Sequence, residues 1–189
     1  MIYINYFYHI VPQKMQGNDL IPLNKIKNEY PNLYEKYTKK YQGERENLLK
    51  RKIPKLDCLW NDVVHFLPLH PYHVFNELDN LGIEVKKDLH FFKIPAYKLN
   101  KKSSALYHYR PENWNGPGQH IYDEEISIIE HIEDFKELTS IPKETVNYYK
   151  EENQKGNKFG LFHFIPHLLI KEGLSIDNAV KVSWSNKPS

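Results

Sequence analysis

The sequence FYHIVP, residues 7–12, combines two aromatic side chains, a histidine, two β-branched residues and a proline. Ile, Val, Tyr and Phe favour strands, so residues 2–11 predict a first β-strand, which Pro12 ends. Because side chains alternate along a strand, His9 shares one face with Phe7, and both faces are largely apolar. A histidine on an apolar face needs a hydrogen-bond partner. That partner is either another part of the protein or a ligand.

The rest of the chain reads as alternating helical and extended segments. Residues 23–52 show helical spacing of apolar side chains, with breaks near Pro31 and Gly43. Residues 58–71 predict a second strand. Further strands are expected at residues 91–99, 105–109, 121–132 and 179–184. Helices are expected at residues 70–82, 141–152 and 160–174. We expect Gly82 to end the first of these helices, Thr139 or Ser140 to cap the second and Pro166 to bend the third. This mixed order predicts an α+β fold.

Length and composition indicate one globular domain. The chain has 189 residues, 40% hydrophobic and 26% charged, which predicts a single domain over residues 1–185 and a disordered tail at 186–189. Cys58 is the only cysteine, which excludes an internal disulfide and a cysteine-based zinc cluster and fits a reducing compartment. No apolar run reaches the length of a membrane span. We therefore expect a cytoplasmic protein that does not bind membranes.

Charge is distributed unevenly although the net charge is only +2. Residues 25–55 contain ten Lys or Arg and four Asp or Glu, whereas residues 123–137 contain seven acidic residues and one lysine. The two segments are either solvated faces of the protein, or the basic one is a phosphate-binding face. The sequence leaves both interpretations open.

Three groups of residues could carry chemistry. His163 and His167 have the i, i+4 spacing of metal ligands on a helix, but Pro166 disturbs this helix and no acidic third ligand lies nearby in sequence. We therefore predict hydrogen-bonded histidines and no metal. The Cys58 thiol is expected to be buried rather than nucleophilic.

The second group is WNDVVHF, residues 60–66. Strand alternation places Trp60, Asp62 and Val64 on one face, and the other face carries Asn61, Val63 and His65. These side chains either shape a polar cleft, or Asp62 caps a neighbouring segment while Trp60 fills the core.

The third group is DEEISII, residues 123–129. A strand here would turn either Glu124 or Glu125 inward, where a carboxylate can bind a ribose hydroxyl and stabilise a cationic transition state. The alternative is an edge strand whose acidic side chains face water.

The order of Tyr8-His9, the 60–66 strand and Glu124-Glu125-Ile126 resembles the ADP-ribosyltransferase-like superfamily. The most similar group comprises nucleic-acid ADP-ribosylating toxins and RNA 2′-phosphotransferases, whose first strand often begins with Tyr-His. This resemblance implies a mostly antiparallel, split β-sheet that forms a cleft, is flanked by helices and binds NAD.

The same resemblance implies roles for individual residues. His9 and Glu125 would be catalytic: His9 would contact the nicotinamide ribose, and Glu125 would orient the ribose 2′-hydroxyl and stabilise an oxocarbenium ion. Together with the polar group of the second strand, it implies cofactor-binding residues Tyr8, Trp60, Asp62, His65 and Arg51. The expected activity is that of an NAD-dependent ADP-ribosyltransferase or NAD glycohydrolase with a nucleic-acid or protein acceptor, in a toxin or a phage-defence protein.

Two other functions are compatible with the sequence. A nucleic-acid-binding or ribonuclease-like module would use the basic segment 25–55, with Tyr34, Tyr37 and Tyr41 stacking on bases. A non-catalytic ligand-sensing or partner-binding domain would use the aromatic side chains and the Gly/Pro loop at residues 113–119.

Overall fold

The computed structural model describes residues 4–15, 17–39, 43–99 and 103–188, with residues 43–45 described by their backbone. Helices account for 32% and strands for 24%, and the sheets are antiparallel and open, which confirms the predicted α+β class. Tyr41 of the basic segment lies outside the described residues. Within the described residues, every helix is too short or too polar to cross a bilayer.

The elements follow one another in a mixed order. The helices are α1 Leu23–Glu29, α2 Pro31–Thr38, α3 Tyr72–Asn80 and α4 Lys143–Gln154. The strands are β1 Tyr6–Ile10, β2 Asp19–Leu20, β3 Lys52–Ile53, β4 Cys58–Leu59, β5 Val63–Phe66, β6 His90–Pro95, β7 Ser104–Tyr107, β8 Ile126–Ile128, β9 His167–Lys171, β10 Leu174–Ser175 and β11 Val180–Ser183. Short 3-10 turns precede or follow several of these strands.

Two larger sheets and two small ones form the framework of the described part of the chain. The order of strands is β1-β6-β11 in the three-stranded sheet and β5-β9-β7-β8 in the four-stranded sheet, and every pair within them is antiparallel. The pairs β2-β10 and β3-β4 are two-stranded. The first strand of the chain therefore pairs with a strand from its middle, and the last strand completes the same sheet.

Aromatic side chains join the sheets in the core. Phe7 of β1 is fully buried and meets Phe66 of β5 edge-on, with ring centres 5.1 Å apart. Phe135 also packs against the Phe7 ring, with ring centres 5.9 Å apart. Edge-to-face contacts of this kind are favourable beyond the area that they bury. One face of β1 is thus committed to the core between the two sheets.

The prediction of a helix at residues 160–174 is wrong, because β9 occupies residues 167–171. β9 pairs with β5 on one side and β7 on the other, so its apolar side chains are buried on both faces. A strand that is buried on both faces has a continuous run of apolar residues, and so does a buried helix. The periodicity of apolar residues therefore cannot distinguish the two. His163 and His167 therefore do not share a helix face.

The prediction of an unbroken second strand is also wrong. Residues Trp60–Asp62 form a 3-10 turn between β4 and β5. The Asp62 carboxylate accepts hydrogen bonds from the Leu59 N–H and from Asn24 Nδ2, each at 2.7 Å, and these bonds fix the turn. The alternation that placed Trp60 and Asp62 on the face of Val64 therefore does not apply.

Other boundaries agree with the sequence. Gly82 follows α3 with φ of +68°, as expected of a residue that ends a helix. α4 begins after Pro142, and no side-chain hydrogen bond caps it, so the predicted cap by Thr139 or Ser140 is wrong. β8 and β11 lie within the segments predicted as strands.

Gly173 should be intolerant of a side chain. A Cβ at this position would lie 2.4 Å from the Leu20 carbonyl oxygen, whereas at Gly82 nothing lies within 4 Å, and both residues have positive φ. We expect Gly82→Ala to lower the free energy of unfolding by about 1 to 2 kcal/mol through backbone strain. Gly173→Ala should cost about 1 to 3 kcal/mol more through the clash with the backbone. Urea unfolding of both variants tests this, and equal losses would contradict it.

Candidate functional site

Tyr8 of β1 and Leu67, which follows β5, join the two large sheets. The Tyr8 N–H donates to the Leu67 carbonyl at 2.9 Å, and the Leu67 N–H donates to the Tyr8 carbonyl at 2.8 Å. In the part of the chain that the structure describes, β1 and β5 share no other main-chain pairing. Beside this bridge lies a cavity of about 550 Å³. That volume is typical of sites for small organic ligands and nucleotides.

Most of the cavity wall comes from β1, residues 12–15 and 19–21, the two helices α1 and α2, and β5 with the turn before it. Phe91 of β6, Phe162 and His167 of β9 complete the described lining. Its apolar part includes Leu20, Ile26, Leu33 and Val63. Its polar and aromatic side chains are Tyr8, His9, Gln13, Lys14, Asp19, Tyr30, Lys36, Tyr37, Asn61, His65, Phe66, Phe91, Phe162 and His167. A mainly apolar pocket with a few polar groups is the usual composition of a ligand site.

Ile10 presents its main-chain groups toward the cavity. The N–H of Val11, which follows β1, donates to the His90 carbonyl at 2.8 Å, so the main-chain groups of Val11 and His9 bond to β6. Hydrogen-bonding direction alternates along an antiparallel strand, so the N–H and C=O groups of Tyr8 and Ile10 point toward β5. Tyr8 uses its groups in the bridge, whereas Ile10 lines the cavity. This places the Ile10 N–H at the cavity wall, beside a carbonyl oxygen that accepts from His9 Nδ1 and keeps a second lone pair.

Three histidines line the cavity. His9 Nδ1 lies 2.6 Å from the Ile10 carbonyl oxygen, and His167 Nδ1 lies 2.7 Å from that of Ile165. A carbonyl oxygen only accepts, so Nδ1 carries the proton in both rings. Burial, with a smaller contribution from the Arg51 charge, lowers the pKa of His167 to about 4. This ring is therefore neutral at pH 7, and its Nε2 carries a lone pair. The His65 ring centre lies 6.3 Å from that of His167.

Arg51 and Trp60 support the histidines without lining the cavity themselves. The Trp60 ring centre lies 4.3 Å from that of His65, and the Arg51 guanidinium carbon lies 4.4 Å from the Trp60 ring centre. Arg51 is 7% exposed, and it donates to the Gln119 carbonyl at 2.8 Å and to the Tyr107 hydroxyl at 3.0 Å. A cation over an indole face is favourable. Arg51 thus holds Trp60 against His65 from inside the protein.

Glu125 lies at the start of β8, the outer strand of the four-stranded sheet, and does not line the cavity. Its side chain is fully buried. It accepts hydrogen bonds from the main-chain N–H groups of Tyr122 at 3.1 Å and Arg110 at 3.3 Å. These bonds satisfy the carboxylate and hold two loops at the end of β8.

Charged side chains lie at the exposed part of the cavity wall. Lys14 and Lys36 approach it from the segment after β1 and from α2, and both are exposed. Asp19 is the carboxylate among the described lining residues. The other described lining residues include no Lys, Arg, Asp or Glu. Within the described residues, no three His, Cys, Asp or Glu side chains are grouped as a metal ion requires.

The structure brings together three of the seven predicted site residues, Tyr8, His9 and His65. The other four, which lie outside the cavity lining, are Arg51, Trp60, Asp62 and Glu125. Sequence reasoning did not select Asp19, Asn61 or His167 as site residues. The signal for Asn61 was its predicted grouping with His65, and that for His167 was hidden by the wrong assignment of its strand as a helix.

Comparisons of the chain with known protein families, with curated proteins and with solved structures find no match.

Glu125→Gln should destabilise the protein. An amide can accept at one of the two main-chain N–H groups but presents an NH2 group to the other, which leaves a buried donor unpaired. We expect a loss of about 1 to 3 kcal/mol in the free energy of unfolding. Glu124→Gln, at an exposed neighbouring position, is the control and should stay within about 0.5 kcal/mol of wild type. Urea unfolding of the two variants measures this, and an unaltered Glu125→Gln would exclude the capping role.

His70 should make stability depend on pH. It is 6% exposed, accepts the Tyr72 N–H at Nδ1 and packs edge-on against Tyr8. Burial, followed by the charges of Lys93 and His73, lowers its pKa from 6.5 to about 4. Between these two pH values the unfolded chain binds a proton that the folded protein does not bind, so stability falls as the pH falls.

We expect His70→Asn, which keeps an acceptor for the Tyr72 N–H but does not titrate, to lose less stability between pH 7 and pH 4.5 than wild type does. The expected difference is about 1 to 3 kcal/mol. Urea unfolding at the two pH values measures it. Equal losses in the variant and the wild type would contradict a neutral native His70.

Proposed function

We propose that the cavity binds NAD and that the protein cleaves the bond between nicotinamide and ribose, as an NAD-dependent ADP-ribosyltransferase or NAD glycohydrolase. The supporting observation is the Ile10 N–H and the second lone pair of the Ile10 carbonyl, whose first is used by His9 Nδ1, in a cavity of nucleotide size. The nicotinamide carboxamide carries one carbonyl acceptor and one NH2 donor. It is complementary to this pair and would place the neighbouring ribose near His9.

The reaction proceeds with few protein groups. The bond between N1 of nicotinamide and C1′ of ribose breaks, and nicotinamide leaves with the electron pair. Water or an acceptor hydroxyl or amine then adds to C1′ and releases one proton. His167 is the proposed proton acceptor, because its ring is neutral and its Nε2 carries the lone pair. In the hydrolytic case NAD and water give ADP-ribose, nicotinamide and a proton.

The developing oxocarbenium ion needs a negative charge, and the cavity offers Asp19. Glu125 was expected to supply this charge, but its carboxylate accepts two main-chain hydrogen bonds at the far edge of the four-stranded sheet. We therefore assign the electrostatic role to Asp19. Lys14 and Lys36 are suited to the diphosphate, since lysine acts toward phosphate as a point charge.

The geometry supports a cavity ligand better than a single-strand platform. Tyr37, which would stack on a base in the nucleic-acid hypothesis, lines the cavity and donates its hydroxyl to the Lys14 carbonyl at 2.9 Å. Tyr34 lies under the Lys27 ammonium at 5.7 Å from its ring centre. Nucleic acid or protein then enters the proposal as the acceptor of ADP-ribose, and the proposed role is that of a cytoplasmic toxin or phage-defence protein.

The first test is nicotinamide release from NAD by the purified protein, with and without DNA, RNA and host lysate. We expect release by wild type, and a fall in kcat of roughly a hundredfold in Asp19→Asn, by analogy with the loss of one electrostatic group at other transition states. Asp88→Asn, an exposed site away from the cavity, is the control and should keep full activity. Glu125→Gln, assayed per folded molecule, should also stay active.

Each outcome of this test bears on a different part of the proposal. Release that Glu125→Gln abolishes in a folded protein would return the electrostatic role to Glu125. Absence of release under every condition, together with absence of NAD binding by calorimetry, would overturn the proposed function. Binding of RNA or DNA that weakens steeply with salt, without NAD turnover, would favour the nucleic-acid module.

A further inference from the structure

Asn61 is a buried amide at the cavity wall whose hydrogen-bonding groups are not fully used. It is 3% exposed, lines the cavity, and its Nδ2 has no hydrogen-bond partner among the residues that the structure describes. Leaving a buried donor unpaired is costly, so native proteins keep few such groups, and each requires an explanation. A ligand that supplies the missing acceptor is one explanation, because this amide belongs to a cavity rather than to a closed core.

The backbone around Asn61 is held firmly, which excludes a loose turn as the reason for the unpaired amide. On one side, Asp62 accepts hydrogen bonds from the Leu59 N–H and from Asn24 Nδ2, each at 2.7 Å. On the other side, the Trp60 N–H donates to the Arg51 carbonyl at 2.7 Å. Binding groups that are fixed before the ligand arrives lose little entropy when it binds. Asp62, expected to bind the cofactor, instead positions the turn that carries Asn61.

Asn61 and Ile10 line the cavity from the two sides of the gap between β5 and β1. The Tyr8–Leu67 bridge is antiparallel, so Ile10, two residues after Tyr8, lies toward His65, whereas Asn61 lies in the turn before β5. His65 and Val63 are about 7 Å apart along an extended strand, and the turn with Asn61 comes before Val63. If nicotinamide lies at Ile10, a dinucleotide bound in a folded-back conformation brings its other base to Asn61.

We infer that Asn61 binds the adenine edge and makes the cavity selective for an adenine dinucleotide; this inference rests on the proposed binding of NAD. A carboxamide offers one donor and one acceptor, which pair with the N7 acceptor and the N6 amino donor of adenine. Hypoxanthine presents two acceptors on the same edge, N7 and O6, so only one bond forms and two oxygens are brought together. The unpaired Nδ2 of Asn61 supplies the donor.

The test is calorimetric titration of NAD and of nicotinamide hypoxanthine dinucleotide into wild type, Asn61→Leu and the control Asn113→Leu. Asn113 lies in another 3-10 turn, outside the cavity lining. We expect wild type and the control to bind NAD at least about tenfold more tightly than the hypoxanthine analogue. Asn61→Leu should bind the two dinucleotides with equal affinity, at or below the wild-type affinity for the analogue.

A stability measurement separates ligand recognition from a structural role. Leucine is close to asparagine in size and removes an unpaired polar group, so the thermal midpoint of Asn61→Leu without ligand should equal or exceed that of wild type. A lower midpoint together with unchanged selectivity would make Asn61 structural and overturn the inference. Equal binding of both dinucleotides by wild type would overturn the inference alone. Absence of binding of either dinucleotide by wild type would overturn the proposed function as well.

Discussion

The reciprocal main-chain pair between Tyr8 and Leu67 is the contact on which the site depends, because it joins two sheets that otherwise separate. A longer ladder would have merged them into one sheet and left no space between β1 and β5. The same strand is fixed from its other end by Glu137, whose carboxylate accepts from the Tyr8 hydroxyl at 2.7 Å and from the Tyr6 N–H at 2.9 Å. Burial, then this carboxylate, raises the pKa of Tyr8, so its hydroxyl stays a donor. β1 is therefore held rigidly while its edge at Ile10 stays open to the cavity.

The polarity of the molecule is arranged so that charge is concentrated at the rim of the cavity. Inside the protein, Arg51 is surrounded by neutral partners: an indole face, a phenol and a carbonyl oxygen. Burial lowers the pKa of His167 and keeps the ring neutral, and the Arg51 charge acts in the same direction because a second cation beside it would be costly. Exposed Lys14, Lys36 and Asp19 then set the field at the cavity opening. The interior thus offers a neutral acceptor nitrogen and amide groups, while ionic attraction acts on the part of a ligand nearest to water.

Local patterns predicted most elements, and the failures have physical causes. Some elements are specified by signals within their own segment, and the sequence predicts them: β1 at residues 6–10, α3 with Gly82 after it, and α4 after Pro142. β9 was missed because a strand buried on both faces has no polar alternation, and its identity depends on pairing with β5 and β7, which lie far from it in sequence. The strand expected from Trp60 onward begins at Val63 instead, because the Asp62 side chain competes for main-chain hydrogen bonds. The cavity lies where the two large sheets separate, and the periodicity of the sequence does not indicate where this separation occurs. His9 and His65 were therefore predicted as polar residues at strands, but Asn61 and His167 needed the tertiary fold.

The positions of β9 and β11 in the sequence determine when the two large sheets can form during synthesis. β9 is an inner strand of the four-stranded sheet, and β11 completes the three-stranded sheet against β6. Neither sheet is whole until residues 167–183 have left the ribosome, although β1 is made first. Pairings between such distant segments carry a large loop-closure cost and form slowly. The edges of β5 and β6 that pair with β9 and β11 consequently stay unpaired until residues 167–183 emerge, and the nascent chain is exposed to non-native strand pairing until then.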